Sequence, residues 1–169
     1  LLEDMLDLSR LDASKLKPRV LGSDAGDVVR EAVSTMEPAA ERRAVTIRVQ
    51  GIDGGLPCRT DPVRIRQILI NLLSNAVRHS PEGGEVTVMV AVDDHRLRFD
   101  VIDRGEGIPA ELQARIFEAF ERAGTDQERG TGLGLTLSKK LAVLLGGDLA
   151  VDSRQGYGAR FTLDVPRYL

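Results

Sequence analysis

Two pairs of β-rich runs, each joined by a few polar residues, constrain the fold more than any other feature of the chain. EVTVMVAV (85–92) and RLRFDVI (96–102) flank DDH, while DLAVDS (148–153) and ARFTLDV (159–165) flank RQGYG. Runs of this kind separated by three to five turn residues form hairpins, so each pair supplies adjacent antiparallel strands. Helical periodicity fills the stretches before and between them. A regular βαβ alternation is therefore excluded, and the pattern predicts an α+β sandwich with helices on one face of a sheet.

The helical stretches are read from apolar spacing. LLEDMLDLSRLDASKL places Leu1, Leu2, Met5, Leu8 and Leu11 on one stripe of an N-terminal amphipathic helix, which packs either on this chain or on a second one. KPRVLGSDAGD is a junction that ends in Ser23 or Asp24 as a helix cap. From Ala25 to about Ala44, Val29, Ala32, Val33, Met36 and Ala40 keep a helical period, and Pro38 is expected to kink that helix or end it early. VTIRV (45–49) alternates as a strand. Asp61-Pro62 opens a long helix through RIRQILINLLSNAVRH, with the proline at the first helical position. PAELQARIFEAF and LGLTLSKKLAVLLGG read as two more helices on either side of the polar, glycine-containing AGTDQERGTG.

Composition narrows the function by exclusion. The 169 residues carry 23 basic and 26 acidic side chains, interspersed, which gives no basic patch for a nucleic acid. A lone cysteine, Cys58, allows neither an intrachain disulfide nor a Cys-x-x-Cys metal site and fits a reducing compartment. No apolar run approaches the ~20 residues of a membrane span, so a cytoplasmic chain without membrane contact is expected. It opens at Leu1 in mid-pattern, as a piece of something longer whose remainder could include an anchor.

Three stretches could carry chemistry. On the long helix Asn71, Asn75 and Arg78 or His79 share a face, although asparagine is a poor helix former. Either this is a solvent-facing stripe, or the amide oxygens serve a hard cation such as Mg²⁺ that bridges to phosphates. DRGEGIPA (103–110) formally matches a dinucleotide fingerprint but lacks the βαβ context. What remains is a β-to-α turn, plain or one in which Gly105 and Gly107 let a ligand approach the backbone beside Asp103. GTGLGL (130–135) is not a Walker loop; it is either a flexible lead-in or an anion-holding helix start.

Their order is more specific than any one of them. An Asn-bearing helix, NLLSNAVRHS, is followed by DRGEGIP, FEAF, GTGLGL and GYGARF. That series resembles the catalytic ATP-binding domain of sensor histidine kinases, in the superfamily shared with gyrase, heat-shock chaperone and mismatch-repair ATPases. The resemblance covers about residues 24 to 166 and implies a Bergerat-type fold, a two-layer α/β sandwich with a mixed sheet. It divides the chain into residues 1–22, the end of a dimerisation-domain helix with its linker, and residues 23–169, the catalytic domain.

The resemblance also implies roles. Asn75 would ligate Mg²⁺ bound to the phosphates of ATP, with Asn71 in or beside that shell as a catalytic residue, and Arg78 would reach a phosphate oxygen. Asp103 would accept the adenine amino group, Gly105 and Gly107 would admit the base, and Ile108 would pack on it. Phe117 and Phe120 would anchor a lid spanning about Glu121 to Arg129, and Arg122 would contact the γ-phosphate. Gly130, Thr131, Gly132, Leu133, Gly134 and Leu135 would form the lid's far hinge, with N–H groups toward the phosphates. A β-branched residue at Gly132 or Gly134 is expected to cost ATP binding while leaving the fold largely intact.

Two positions depart from the family pattern. His79 stands where an aromatic or other adenine-side residue is usual, so stacking and plain packing both remain open. The family's phosphate-accepting histidine belongs to an earlier helix; His79 and His95 are the only histidines here, and neither has that context. The implied function is γ-phosphoryl transfer to a histidine on a separate dimerisation (histidine-phosphotransfer) domain of a homodimeric parent, and through the parent to a response regulator. Two alternatives stand beside it. In a gyrase-type ATPase the place of Asn71 would hold a glutamate general base, and asparagine is no base. A degenerate nucleotide-binding scaffold is the other.

Overall fold

The computed structural model describes residues 2–119 and 132–169. Phe120, Arg122, Gly130 and Thr131, with the rest of the expected lid, lie outside the described residues.

The described residues form five α-helices. Helix α1 (Leu2–Asp12) has no fully buried residue, yet Leu8 and Leu11 pack against the core. Two polar ties hold it in place: Asp7 accepts from Arg64 at 2.8 Å and from Gln67 at 3.2 Å, and Asp12 pairs with Lys140. Helix α2 (Ala25–Arg42) is capped by Asp24, whose carboxylate accepts the N–H groups of Gly26 at 2.8 Å and Asp27 at 3.3 Å. The same carboxylate accepts from Leu56 N–H at 2.6 Å. That bond above all holds the Asp24 acid below its ordinary range, so the charged cap is favoured. Pro38 does not end α2. The buried stripe Val29, Ala32, Met36 and Ala40 continues past it, and tertiary packing outweighs one lost backbone bond.

Helix α3 (Pro62–His79) starts at Asp61, which accepts from Arg64 N–H at 3.1 Å and from Arg19 N–H at 2.7 Å. It buries Ile65, Ile68, Leu69, Leu72, Leu73, Ala76 and Val77, each large side chain contributing roughly 1.5–3 kcal/mol of transfer free energy. The stretch expected as one helix from Pro109 is shorter: α4 (Ala110–Gln113) followed by a 3₁₀ turn at Arg115–Phe117. Only Ile116 is buried there, so too little apolar surface is available to propagate a helix. Helix α5 (Gly134–Leu144) buries Thr136, Leu137, Ser138, Leu141 and Ala142.

Among the described residues seven strands make two sheets. β1 (Leu21–Asp24) and β3 (Pro57–Thr60) pair antiparallel. The main sheet orders β2 (Thr46–Gln50), β4 (Glu85–Val92), β5 (Arg96–Asp103), β7 (Gly158–Pro166) and β6 (Asp148–Arg154) side by side as β2-β4-β5-β7-β6. Both expected hairpins are present; β2 joins β4 in parallel, which makes the sheet mixed. One face presents Val86, Val88, Leu97, Phe99, Val101, Phe161, Leu163 and Val165 to the helices, all buried. The other carries charge: Asp100 accepts from Arg160 at 2.7 Å and from Thr162. The outcome is a two-layer α/β sandwich preceded by a short N-terminal helix.

Candidate functional site

The C-terminal half of α3 carries Asn71, Asn75, Arg78 and His79, and the structure sets a different element against each end of it. At the Asn71 end lies the start of α5. A Cβ on Gly134 would fall 2.2 Å from the Asn71 Oδ1, and the Asn71 amide donates to the Ser138 hydroxyl at 2.8 Å. Asn71 thus ties α3 to α5 through its amide nitrogen, with its amide oxygen against Gly134. One turn on, the Asn75 Oδ1 accepts from Arg78 at 3.3 Å, a long bond that leaves a lone pair available, while the Arg78 carbonyl accepts from Arg43 at 3.0 Å.

At the His79 end lies the loop after β5. A Cβ on Gly105 would meet the His79 carbonyl oxygen at 2.2 Å, so only glycine permits this approach of loop to helix. Asp103, at the end of β5, is buried, and it accepts the Gly105 N–H at 2.9 Å. Burial pushes its carboxyl above the ordinary range, against backbone hydrogen bonds and the His79 ring, which lower it. His79 itself faces Glu106 at 3.8 Å. Gly107 holds a left-handed φ of +72°, with the Arg154 carbonyl 2.3 Å from where a Cβ would stand. Ile108 follows, half-buried.

The beginning of α5 is the third side. Gly132 has a left-handed φ of +69°, Leu133 is buried, and Gly134 and Leu135 open the helix. Among the described residues no side chain caps it, and the positive dipole end of a helix start suits an anion. The Thr136 hydroxyl, two residues in, is buried without a partner among the described residues. Phe117, the described member of the aromatic pair, packs edge-on against Phe161 with ring centroids 6.4 Å apart, and Lys139 sits 5.1 Å over its ring.

These features suit a nucleotide with its metal. The acid with two close-approach glycines suits an amino-bearing base, and the uncapped helix start with its orphaned hydroxyl suits phosphates. Among the described residues no group of three or more His, Cys, Asp or Glu side chains could hold a metal, so a cation here would take most of its ligands from phosphate and water, with Asn75 the amide available to it.

Some participants escape a reading of motifs. Ser138 and Lys139 lie just past the glycine box, Gln113 sits in α4, and Ser153 sits near the end of β6. A serine on the buried face of α5, one turn from Gly134, was the detectable signal for the first.

Comparison with known proteins places the chain among relatives of one family. Residues 60–169 match the family described as histidine kinase-, DNA gyrase B-, and HSP90-like ATPase. Over 98% of its length the chain is 37% identical to the alginate biosynthesis sensor protein KinB of Pseudomonas aeruginosa and 34% identical to the histidine protein kinase DivJ of Caulobacter vibrioides. It spans 28% of the length of each. The crystal structure of full-length ShkA in complex with AMPPNP superposes with a TM-score of 0.83 at 32% identity, over 96% of this chain and 34% of that one. The catalytic domain of histidine kinase ThkA, nucleotide-free, gives 0.78 at 26% identity over 89% and 97%.

Proposed function

Because the chain belongs to the family of histidine kinase-, DNA gyrase B- and HSP90-like ATPases, we propose that it is the ATP-binding, phosphoryl-donating domain of a sensor histidine kinase. One observation carries the reading. Gly134 meets Asn71 and Gly105 meets His79, two contacts eight residues apart on α3, or about 12 Å along its axis. That is the reach from the edge of a purine to its phosphate chain. An acid stands at one end and an uncapped helix at the other.

In this arrangement Asp103 accepts the exocyclic amino group of adenine, and Gly105 and Gly107 keep the backbone low enough for the ring to pass. Ile108 packs on the base, beside His79. The N–H groups from Gly132 to Leu135 hold phosphate oxygens, and Arg78 adds a positive charge. Mg²⁺, held by the phosphates and by Asn75, neutralises charge on the phosphate chain. The role we assign to Asn71 is to position the start of α5. Phosphoryl transfer needs mainly positioning and charge neutralisation, and no general base on this chain is required. Arg122, Phe120, Gly130 and Thr131 complete the proposal as lid and hinge residues.

The accepting nucleophile is a histidine on a dimerisation domain, and the response regulator is reached through the parent. We place the domain boundary near residue 22, with α1 as the end of the dimerisation helix. Water activation by a gyrase-type base has no support at Asn71, whose amide binds Ser138. Titration with Mg·ATP tests the pocket: binding that Asp103→Asn and Asn75→Ala abolish is the expected result, and binding indifferent to both refutes it. With radiolabelled ATP and a separate histidine-bearing dimerisation domain, label on that domain supports the kinase, and free phosphate alone supports hydrolysis.

A further inference from the structure

The loop that carries Asp103, Gly105, Gly107 and Ile108 has no regular secondary structure of its own between β5 and α4. Something else must fix it. The turn between β6 and β7 fits into it from the side: the Gly156 N–H donates to the Glu106 carbonyl at 2.6 Å. A Cβ on Gly158 would stand 2.1 Å from the Asp103 carbonyl oxygen, so turn and loop are in backbone contact.

Ser153 sits at the centre of that contact. Its hydroxyl accepts the Ile108 N–H at 2.8 Å and donates to the Gly158 carbonyl at 2.7 Å, and so joins the far end of the base loop to the first residue of β7. Gln113, on α4, closes a ring: its amide donates to the Ile108 carbonyl at 3.0 Å and to the Ser153 carbonyl at 2.7 Å. Both polar groups of the Ile108 backbone are therefore held, one by each side chain. Neither Ser153 nor Gln113 belongs to a motif assigned to the nucleotide.

We infer that Ser153 and Gln113 are positioning residues for the base, which set the height of Ile108 and the span of the loop back to Asp103 and so determine preference for adenine. This rests on the nucleotide reading of the site. Neither side chain touches the ligand. A serine hydroxyl suits the task because it donates and accepts at once. Alanine at 153 removes the hydroxyl that joins the Ile108 N–H to the Gly158 carbonyl, and the loop loses the register that aligns Asp103 with a purine edge.

The test measures affinity for Mg·ATP and Mg·GTP by displacement of a fluorescent ATP analogue, with thermal melting to follow folding. Ser153→Ala is expected to weaken ATP by about tenfold while GTP changes little, so that discrimination falls; Ser153→Thr, which keeps the hydroxyl, restores it. Gln113→Leu, at a half-exposed position, should reduce discrimination in the same direction and serves if Ser153→Ala fails to fold. Equal losses of ATP and GTP in the folded variants mark a general structural role and overturn the proposal, as does unchanged ATP affinity in both. Wild-type chain that binds no ATP refutes the nucleotide reading instead.

Discussion

Alanine at Gly134 tests how α3 and α5 are joined. A Cβ there would lie 2.2 Å from the Oδ1, 2.9 Å from the Cγ and 3.1 Å from the Nδ2 of Asn71, so the amide must rotate away. Overpacking of this kind costs about 1–3 kcal/mol. The rotation also breaks the 2.8 Å bond to Ser138, which is only 2% exposed, and a buried hydroxyl without its partner costs about 1–3 kcal/mol more. Alanine's better helix propensity returns at most about 1 kcal/mol. The net destabilisation is about 2–4 kcal/mol. Asn71→Ala alone loses the bond but makes no clash, at about 1–3 kcal/mol for the same unpartnered Ser138 hydroxyl. In the double variant the clash has no target, so its cost should stay near that of Asn71→Ala, with a coupling of about 2–4 kcal/mol between the sites, the whole cost of Gly134→Ala. Urea unfolding of the four proteins measures the cycle. Costs that add to within about 0.5 kcal/mol show that the new methyl does not meet Asn71, and the account of this junction is then wrong. The same measurement tests the expectation that a β-branched residue at Gly134 leaves the fold largely intact.

Three further outcomes follow from the same coordinates. Gly105→Ala should be more damaging than Gly134→Ala, because its obstacle is the His79 carbonyl, and no side-chain change at His79 should rescue it; rescue in an unfolding cycle contradicts this. Asp103 has a raised acid pKa in the fold, so its contribution is fully favourable below the unfolded value and is lost as pH rises through the folded one. Asp103→Asn should accordingly melt higher than wild type at neutral pH, with the gain fading in acid, while ATP binding is lost; a melting difference independent of pH counts against the burial argument. Asp7→Ala should free α1 from Arg64 and Gln67, making the chain near residue 12 sensitive to limited proteolysis with the domain's melting point nearly unchanged; equal protection in both proteins refutes a polar latch.

The hairpins β4–β5 and β6–β7 and the site helix α3 were legible because each is local and carries its own period. Asp61-Pro62 announced the start of α3 through cap chemistry alone. The β1–β3 pair was not legible: LGSD and PCRT are four residues each and neither alternates, so only the partner makes them strands. The parallel pairing of β2 with β4 joins residues some forty positions apart and leaves no local trace. An early end at Pro38 is not seen because a proline rule describes the backbone bond lost and is silent on the buried face that continues beyond it. In the site, the glycine boxes and Asp103 were visible as motifs. The tie from Asn71 to Ser138 was not, because it spans 67 residues and depends on where α5 lands.

The strand order β2-β4-β5-β7-β6 places β7, which follows the other strands of this sheet in sequence, in the interior of the sheet. As the chain leaves the ribosome, β4 and β5 can close their hairpin early, but β6 has no partner in this sheet until β7 passes between it and β5. The turn that braces the base loop arrives with the same late strand. Until then β5 keeps an open edge beside an apolar face, the condition in which nascent chains recruit holdases or one another. Binding competence is therefore expected to appear in a single step, when β7 enters the sheet, rather than to grow with chain length.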